Sequence, residues 1–192
     1  MTKLVCLLGS PREGGNSDTL ARVFCDAAKA EGATVRTHSL RDLRFQGCMN
    51  VRFCKVGGDF CGLDDDMVPV LADLGEADVL VMATPVYFCN MTGLMKQAFD
   101  RFFSFLKPDY LTSDEPSRLG RGKRLVLIQT QGEDEAHYAD LLAGYAPALE
   151  KLGFEKRDLL RACGVRDAKD VMNNAALLGQ ARELGRQVAH GA

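Results

Sequence analysis

The residues of clearest chemical character are Gly9-Ser10-Pro11-Arg12-Glu13-Gly14-Gly15-Asn16-Ser17. They join short hydroxyl and amide donors (Ser10, Asn16 and Ser17) to the planar, permanently charged fork of Arg12. Such a set suits a phosphate. What is missing narrows the type. Gly9 and Gly14 have the spacing of the first two glycines of a nucleoside-triphosphate loop. Gly15-Asn16 stands where Gly-Lys must follow, so ATP or GTP hydrolysis is disfavoured. The G-x-G-x-x-G fingerprint is also missing, which disfavours NAD held in the Rossmann manner. A terminal phosphate monoester such as that of FMN remains.

The flanking residues say how this loop is carried. Leu4-Val5-Cys6-Leu7-Leu8 reads as a buried strand, and Leu20, Val23, Phe24, Ala27 and Ala28 recur at helical spacing. A strand, a tight polar loop and a helix N-terminus bring unpaired N–H groups and a positive dipole end to one point. The alternation then continues. Strands are expected at about 3–9, 34–38, 78–83, 123–129 and 154–161. Helices are expected at about 17–31, after Asp64-Asp65-Asp66, and at about 93–107, 134–152 (with Pro147 inside) and 167–190. This pattern predicts an α/β fold: a flavodoxin-like three-layer sandwich around a five-stranded parallel sheet of order 2-1-3-4-5. Residues 1–192 are expected to form one domain, with a cysteine-containing insertion loop at about 42–63.

In such sheets the ligand lies beyond the carboxyl ends of the strands, so the third and fourth strand ends should also be binding segments. After the third comes Thr84-Pro85-Val86-Tyr87-Phe88-Cys89-Asn90, where Pro85, Val86, Tyr87 and Phe88 are placed to face a flat ring. After the fourth comes Thr130-Gln131-Gly132-Glu133, from which Thr130 and Gly132 are expected to complete the pocket. The helix beginning near Gly93 is apolar over an unusually wide face, from Leu94 to Leu106. Part of that face is expected to meet another subunit in a homodimer or homotetramer, unless residues 108–120 fold over it.

Bulk composition excludes several classes. With 24 basic and 26 acidic residues and no basic stripe, nucleic acid is a poor partner. No apolar run approaches the roughly 20 residues needed to span a bilayer, and no signal-peptide pattern is present. A cytoplasmic location and no membrane partner are expected. Seven cysteines then read as thiols or metal ligands rather than disulfides. Cys6, Cys25 and Cys163 fall in expected strands or helices as small core residues, whereas Cys89 lies in the ring-facing segment. His38, His137 and His190 share no nucleophile motif, so no catalytic acid–base group is assigned.

Taken together, Gly9-Ser10-Pro11-Arg12…Gly15-Asn16-Ser17, Thr84-Pro85-Val86-Tyr87-Phe88 and Lys96…Asp100-Arg101 resemble the NAD(P)H-dependent FMN reductases of the flavodoxin-like superfamily. More narrowly, the cysteine segment leading into Asp65-Asp66-Met67 is similar to that of the iron–sulfur flavoproteins. The resemblance implies an FMN phosphate gripped by Ser10, Arg12, Asn16 and Ser17, and a flavin ring lined by Pro85 to Phe88. It also implies NAD(P)H as substrate and electrons passed to a small-molecule acceptor such as a quinone, flavin, nitro- or azo-compound. The alternative it carries is an electron-transfer protein reduced by ferredoxin. The chain departs from the cluster pattern at one position. Of the four matching positions, Cys48, Val51, Cys54 and Cys61, the second cannot bind iron, so an intact [4Fe–4S] cluster is disfavoured.

Overall fold

The computed structural model describes residues 1–191. Five parallel strands form its sheet: β1 (Lys3–Leu8), β2 (Thr34–Ser39), β3 (Val79–Tyr87), β5 (Lys123–Thr130) and β6 (Phe154–Ala162), side by side as β2-β1-β3-β5-β6. Counting parallel strands alone, this is the expected 2-1-3-4-5 order. A two-residue strand, β4 (Asn90–Met91), was not expected; it pairs antiparallel with the end of β3, Val86 opposite Met91 and Tyr87 opposite Asn90.

Alternation along the strands splits the core in two. Val5, Leu7, Leu80, Met82, Leu125 and Leu127 point to one face. There they meet α3 (Met67–Glu76), α4 (Gly93–Arg101) and α5 (Leu141–Leu152). Leu4, Cys6, Leu8, Val79, Val81, Val126 and Ile128 point to the other, against α1 (Asn16–Ala30) and α6 (Ala175–His190). Burying a side chain of this size contributes about 1.5–3 kcal/mol, so the strands have little freedom to change register. α6 lies tightly on α1: a Cβ on Gly185 would sit 2.3 Å from the Phe24 carbonyl oxygen, so only glycine fits there.

Several element boundaries differ from the sequence expectation, each for a local reason. β3 does not stop at Ala83 but runs to Tyr87, because β5 pairs with Thr84 and Pro85 and β4 folds back to pair with Val86 and Tyr87; Pro85 to Tyr87 are therefore strand, not loop. The helix expected at 93–107 ends at Arg101 and tightens into a 3₁₀ turn, Phe102–Phe105. Residues 106–119 then fold back over that turn, with Leu106 bridging Ser117, Phe103 edge-on to Tyr110, and Leu119 in the core. Much of the wide apolar face is thus covered from within the chain. α5 starts at Leu141 rather than 134, since 134–140 forms turns held by Gln131. α6 starts at Ala175, capped by Asn174, because Asp167–Asn173 is a loop and 3₁₀ turn. The insertion loop contains a short helix, α2 (Phe53–Val56). No helix among the described residues is long and apolar enough to cross a membrane.

Candidate functional site

The site is built where β1 hands over to α1. Leu8 ends the strand, and the Gly9 N–H donates to the Ala83 carbonyl (2.8 Å), holding the loop onto the sheet. A Cβ on Gly9 would lie 2.8 Å from the Met95 side chain, so glycine lets α4 pack directly beneath the loop. Thr92 Oγ1 donates to the Gly9 carbonyl (2.7 Å) and accepts from the Met95 N–H (3.2 Å), capping α4 and tying it to the same point. Ser10 Oγ donates to the Arg12 carbonyl and accepts the Arg12 N–H, which curls the loop around itself.

α1 begins at Asn16 with Gly15 as its N-cap, and no side chain caps it. Its first-turn N–H groups and the dipole's positive end therefore face outward without an internal acceptor. Beside them Ser17 Oγ is buried and has no hydrogen-bond partner. A buried hydroxyl left unsatisfied costs about 1–3 kcal/mol unless a ligand completes it. One turn into the helix, Asp18 is fully buried against Arg41, whose Nη1 donates both to Asp18 (2.8 Å) and to the Ser10 carbonyl (3.2 Å). Burial pushes the Asp18 carboxyl up, and Arg41 only partly offsets this. The pair braces the loop from behind.

A cleft of about 320 Å³ opens in front of this loop. Ser10, Arg12, Asn16 and Ser17 line it from the loop, Pro85, Val86 and Tyr87 from the end of β3, and Thr130 and Gly132 from the end of β5. The carboxyl-edge rule thus gathers segments more than a hundred residues apart. Phe88 is not among the lining residues: it stands fully exposed at the tip of the β3–β4 hairpin, at φ 46°. The sequence expectation missed Gln131 and Glu133, which alternate with two residues it named, and missed Val165, Arg166 and Ala168 altogether. No signal marked 165–168, because the apolar pattern beyond it reads as helix.

This third wall is fastened to the loop. Asn16 Nδ2 donates to the Asp167 carbonyl (2.9 Å), and its Oδ1 accepts the Val171 N–H (3.3 Å). Arg12 Nη1 donates to the Arg166 carbonyl (3.2 Å). On the other side, Val165 N–H donates to the Gln131 carbonyl (3.0 Å) and Arg166 Nε to the Gly132 carbonyl (3.3 Å). The cleft's composition is that of a phosphate site opening onto a flatter, mixed surface at Pro85–Tyr87.

The family model described as NADPH-dependent FMN reductase matches residues 2–142. The chain belongs to this family. An iron–sulfur flavoprotein of Methanocaldococcus jannaschii is 33% identical over 99 residues, 52% of this chain and 51% of that protein. A putative NAD(P)H-dependent FMN-containing oxidoreductase of Bacillus subtilis is 26% identical over 112 residues, 56% of this chain and 58% of its own length. The chain thus spans about half the length of the curated relatives it matches. Among solved structures, an FMN-dependent NADH-azoreductase of Bacillus anthracis in complex with FMN superposes with a TM-score of 0.72 at 19% identity, covering 98% of this chain and all of that one. An NAD(P)H:quinone oxidoreductase of Methanothermobacter marburgensis gives 0.72 at 17% identity, covering 97% and 98%. At such identities these likenesses show the flavodoxin-like fold.

FMN is the cofactor of this reductase family, and the residues present fit it. The uncapped start of α1 and the unpartnered Ser17 hydroxyl suit a phosphate, and the apolar edge at Pro85 and Val86 suits a ring. The cysteine loop does not fit a cluster in the same way. Val51 is exposed where a thiolate would be required, and Cys48 is exposed while Cys54 is buried. Cys61 Sγ accepts a hydrogen bond from Arg101 Nε (3.1 Å). Among the described residues no group of three or more His, Cys, Asp or Glu side chains is arranged to hold a metal ion.

Cations hold that loop instead. Arg101 is buried and directs Nη1 to Asp65 (2.6 Å) and to the Gln46 carbonyl (2.9 Å), and Nη2 to the Leu63 carbonyl. Burial works against its charge, but Asp65 and Cys61 outweigh this and raise its pKa. For Asp65 burial pulls upward, yet the Arg101 hydrogen bond and the Gln46 and Met67 N–H groups together hold its carboxyl below the usual value. Asp65 also serves the start of α3, where its other oxygen accepts the Met67 N–H (3.1 Å). Lys55 Nζ donates to the Phe103 and Leu106 carbonyls, and Arg118 Nη2 to the Cys54 carbonyl.

Proposed function

We propose that this FMN-dependent oxidoreductase takes electrons from NADH or NADPH and passes them to a small-molecule acceptor such as a quinone, a free flavin, or a nitro- or azo-compound. The observation that carries the reading is the unpartnered Ser17 hydroxyl beside an uncapped helix start, in a cleft whose opposite wall is the Pro85–Tyr87 edge. FMN bound there would supply a ring able to accept a hydride and release electrons singly or in pairs.

In this reading the chain's own work is binding, orientation and exclusion of water. Arg12 and Ser17 hold the phosphate with the α1 N–H groups, Ser10 sets the loop's curl by pairing with Arg12, and Asn16 takes part by fixing the 165–171 wall beside it. Pro85, Val86 and Tyr87 back the ring, and Thr130 and Gly132 complete the pocket. No acid–base residue is required of the protein, and the cleft is lined by a single carboxylate, Glu133, and no histidine. The exposed Phe88 and Tyr87 on the hairpin suit contact with a second copy of the chain in a homodimer or homotetramer.

The test is anaerobic mixing of the FMN-loaded protein with NADPH and, separately, NADH. Bleaching of the flavin absorbance within seconds supports the reductase. Reduction by ferredoxin but by neither nicotinamide would move the protein to the electron-carrier class.

A further inference from the structure

We propose that Arg166, on the third wall of the cleft, is a second cation for the ligand's phosphate and makes the site select a phosphorylated flavin over the unphosphorylated one. This rests on the flavin reading above. In the sequence Arg12 is the obvious phosphate partner, and Arg166 lies 154 positions away with nothing to mark it. The fold brings the two together. Arg12 Nη1 reaches the main-chain carbonyl of Arg166, so part of the Arg12 fork is committed to holding the wall. Arg166 in turn lays its side chain along Gly132, its Nε on that carbonyl at 3.3 Å, and lines the cleft.

Neither guanidinium forms an ion pair among the described residues, whereas Arg41 pairs with Asp18 and Arg161 Nη2 donates to the Glu135 and His137 carbonyls. Both side chains are exposed and line the same cleft without a carboxylate partner, so an anion with two charges is the counter-charge that would bring them together. Glu133 lines the cleft too and opposes an anion, which makes a second cation more useful, not less. The backbone of the wall is rigid enough for the purpose: Asp170 Oδ2 accepts the Arg166 and Asp167 N–H groups, both at 2.8 Å, and Asn16 grips Asp167 and Val171. The buried, unpartnered Ser17 hydroxyl on the loop opposite marks where the anion's oxygens belong.

The experiment compares two probes, FMN and riboflavin, by quenching of flavin fluorescence on titration with wild-type protein, Arg166→Gln and Arg166→Lys. A phosphate-reading role predicts that Arg166→Gln weakens FMN by about tenfold or more, while riboflavin affinity changes less than about twofold. Arg166→Lys should recover part of the loss, since it keeps the charge and loses the fork. Equal weakening of both flavins would show that Arg166 only shapes the wall, and unchanged FMN affinity would show that it points elsewhere; either overturns the proposal and leaves the flavin reading standing. Wild-type protein that takes up neither flavin would overturn both.

Discussion

The α1 loop and the cysteine loop are both polar excursions from the same sheet, yet their internal accounts differ. Around the cysteine loop the polar groups of Arg101 are met by Asp65, Cys61, Gln46 and Leu63, and those of Lys55 and Arg118 by main-chain carbonyls. Around the α1 loop a buried hydroxyl has no partner, a helix start has no cap, and two guanidinium groups have no carboxylate. Both carry charge near the core. A satisfied network describes structure, whereas polar groups held in place and left unsatisfied describe a place for something else.

That contrast predicts opposite outcomes for substitutions. The largest effect is expected at Arg101→Met, which strands the Asp65 carboxylate and three carbonyl or thiol acceptors. Urea denaturation should show a loss of about 3–5 kcal/mol in stability, and a loss under 1 kcal/mol would mean that the cysteine loop is not held by this ion pair. Next, Arg12→Ala should weaken FMN binding by about 1.5–3 kcal/mol, the range for a charged hydrogen bond. An unchanged dissociation constant would place the Arg12 fork wholly on the wall. Ser17→Ala should act only on binding, raising the FMN dissociation constant by about 1 kcal/mol while leaving the flavin-free protein no less stable, since it removes an unsatisfied hydroxyl. If Ser17→Ala destabilised the flavin-free protein, the hydroxyl would have an internal role and the contrast would fail.

The smallest effect is one of shape. The folded Asp65 carboxyl titrates below its ordinary 3.8, so its contribution is present above that value and disappears as the pH falls through the lower folded value. The stability curves of wild type and Asp65→Asn should therefore stand apart at neutral pH and converge in acid. Parallel curves down to the acid limb would mean that Asp65 is not tied to Arg101 in solution.

The legibility of the two regions differs for the same reason. The α1 loop was readable because one short run carries the strand end, the donors and the helix start. Its partners at Pro85–Tyr87 and Thr130–Gly132 followed from a rule about where parallel strands end. The wall at 165–168 was not readable: Asn16, named as a phosphate donor, turns both ends of its amide to Asp167 and Val171, a pairing across 151 and 155 positions. Arg101 had only a motif position to recommend it, and its burial against Asp65 depends on how residues 46–65 fold onto the end of α4. Val51, by contrast, was informative in the sequence alone, because a valine has no electron pair to give to iron.

Chain order and residue type by themselves thus determined the alternating sheet, its strand order and the loop between β1 and α1, since hydrophobic period and backbone geometry are local properties that any fold of this chain must honour. Only the tertiary structure decided which polar groups find partners. Satisfaction is settled between residues that are distant in sequence and adjacent in space, and it is this that separates the Ser17 hydroxyl from the Arg101 guanidinium.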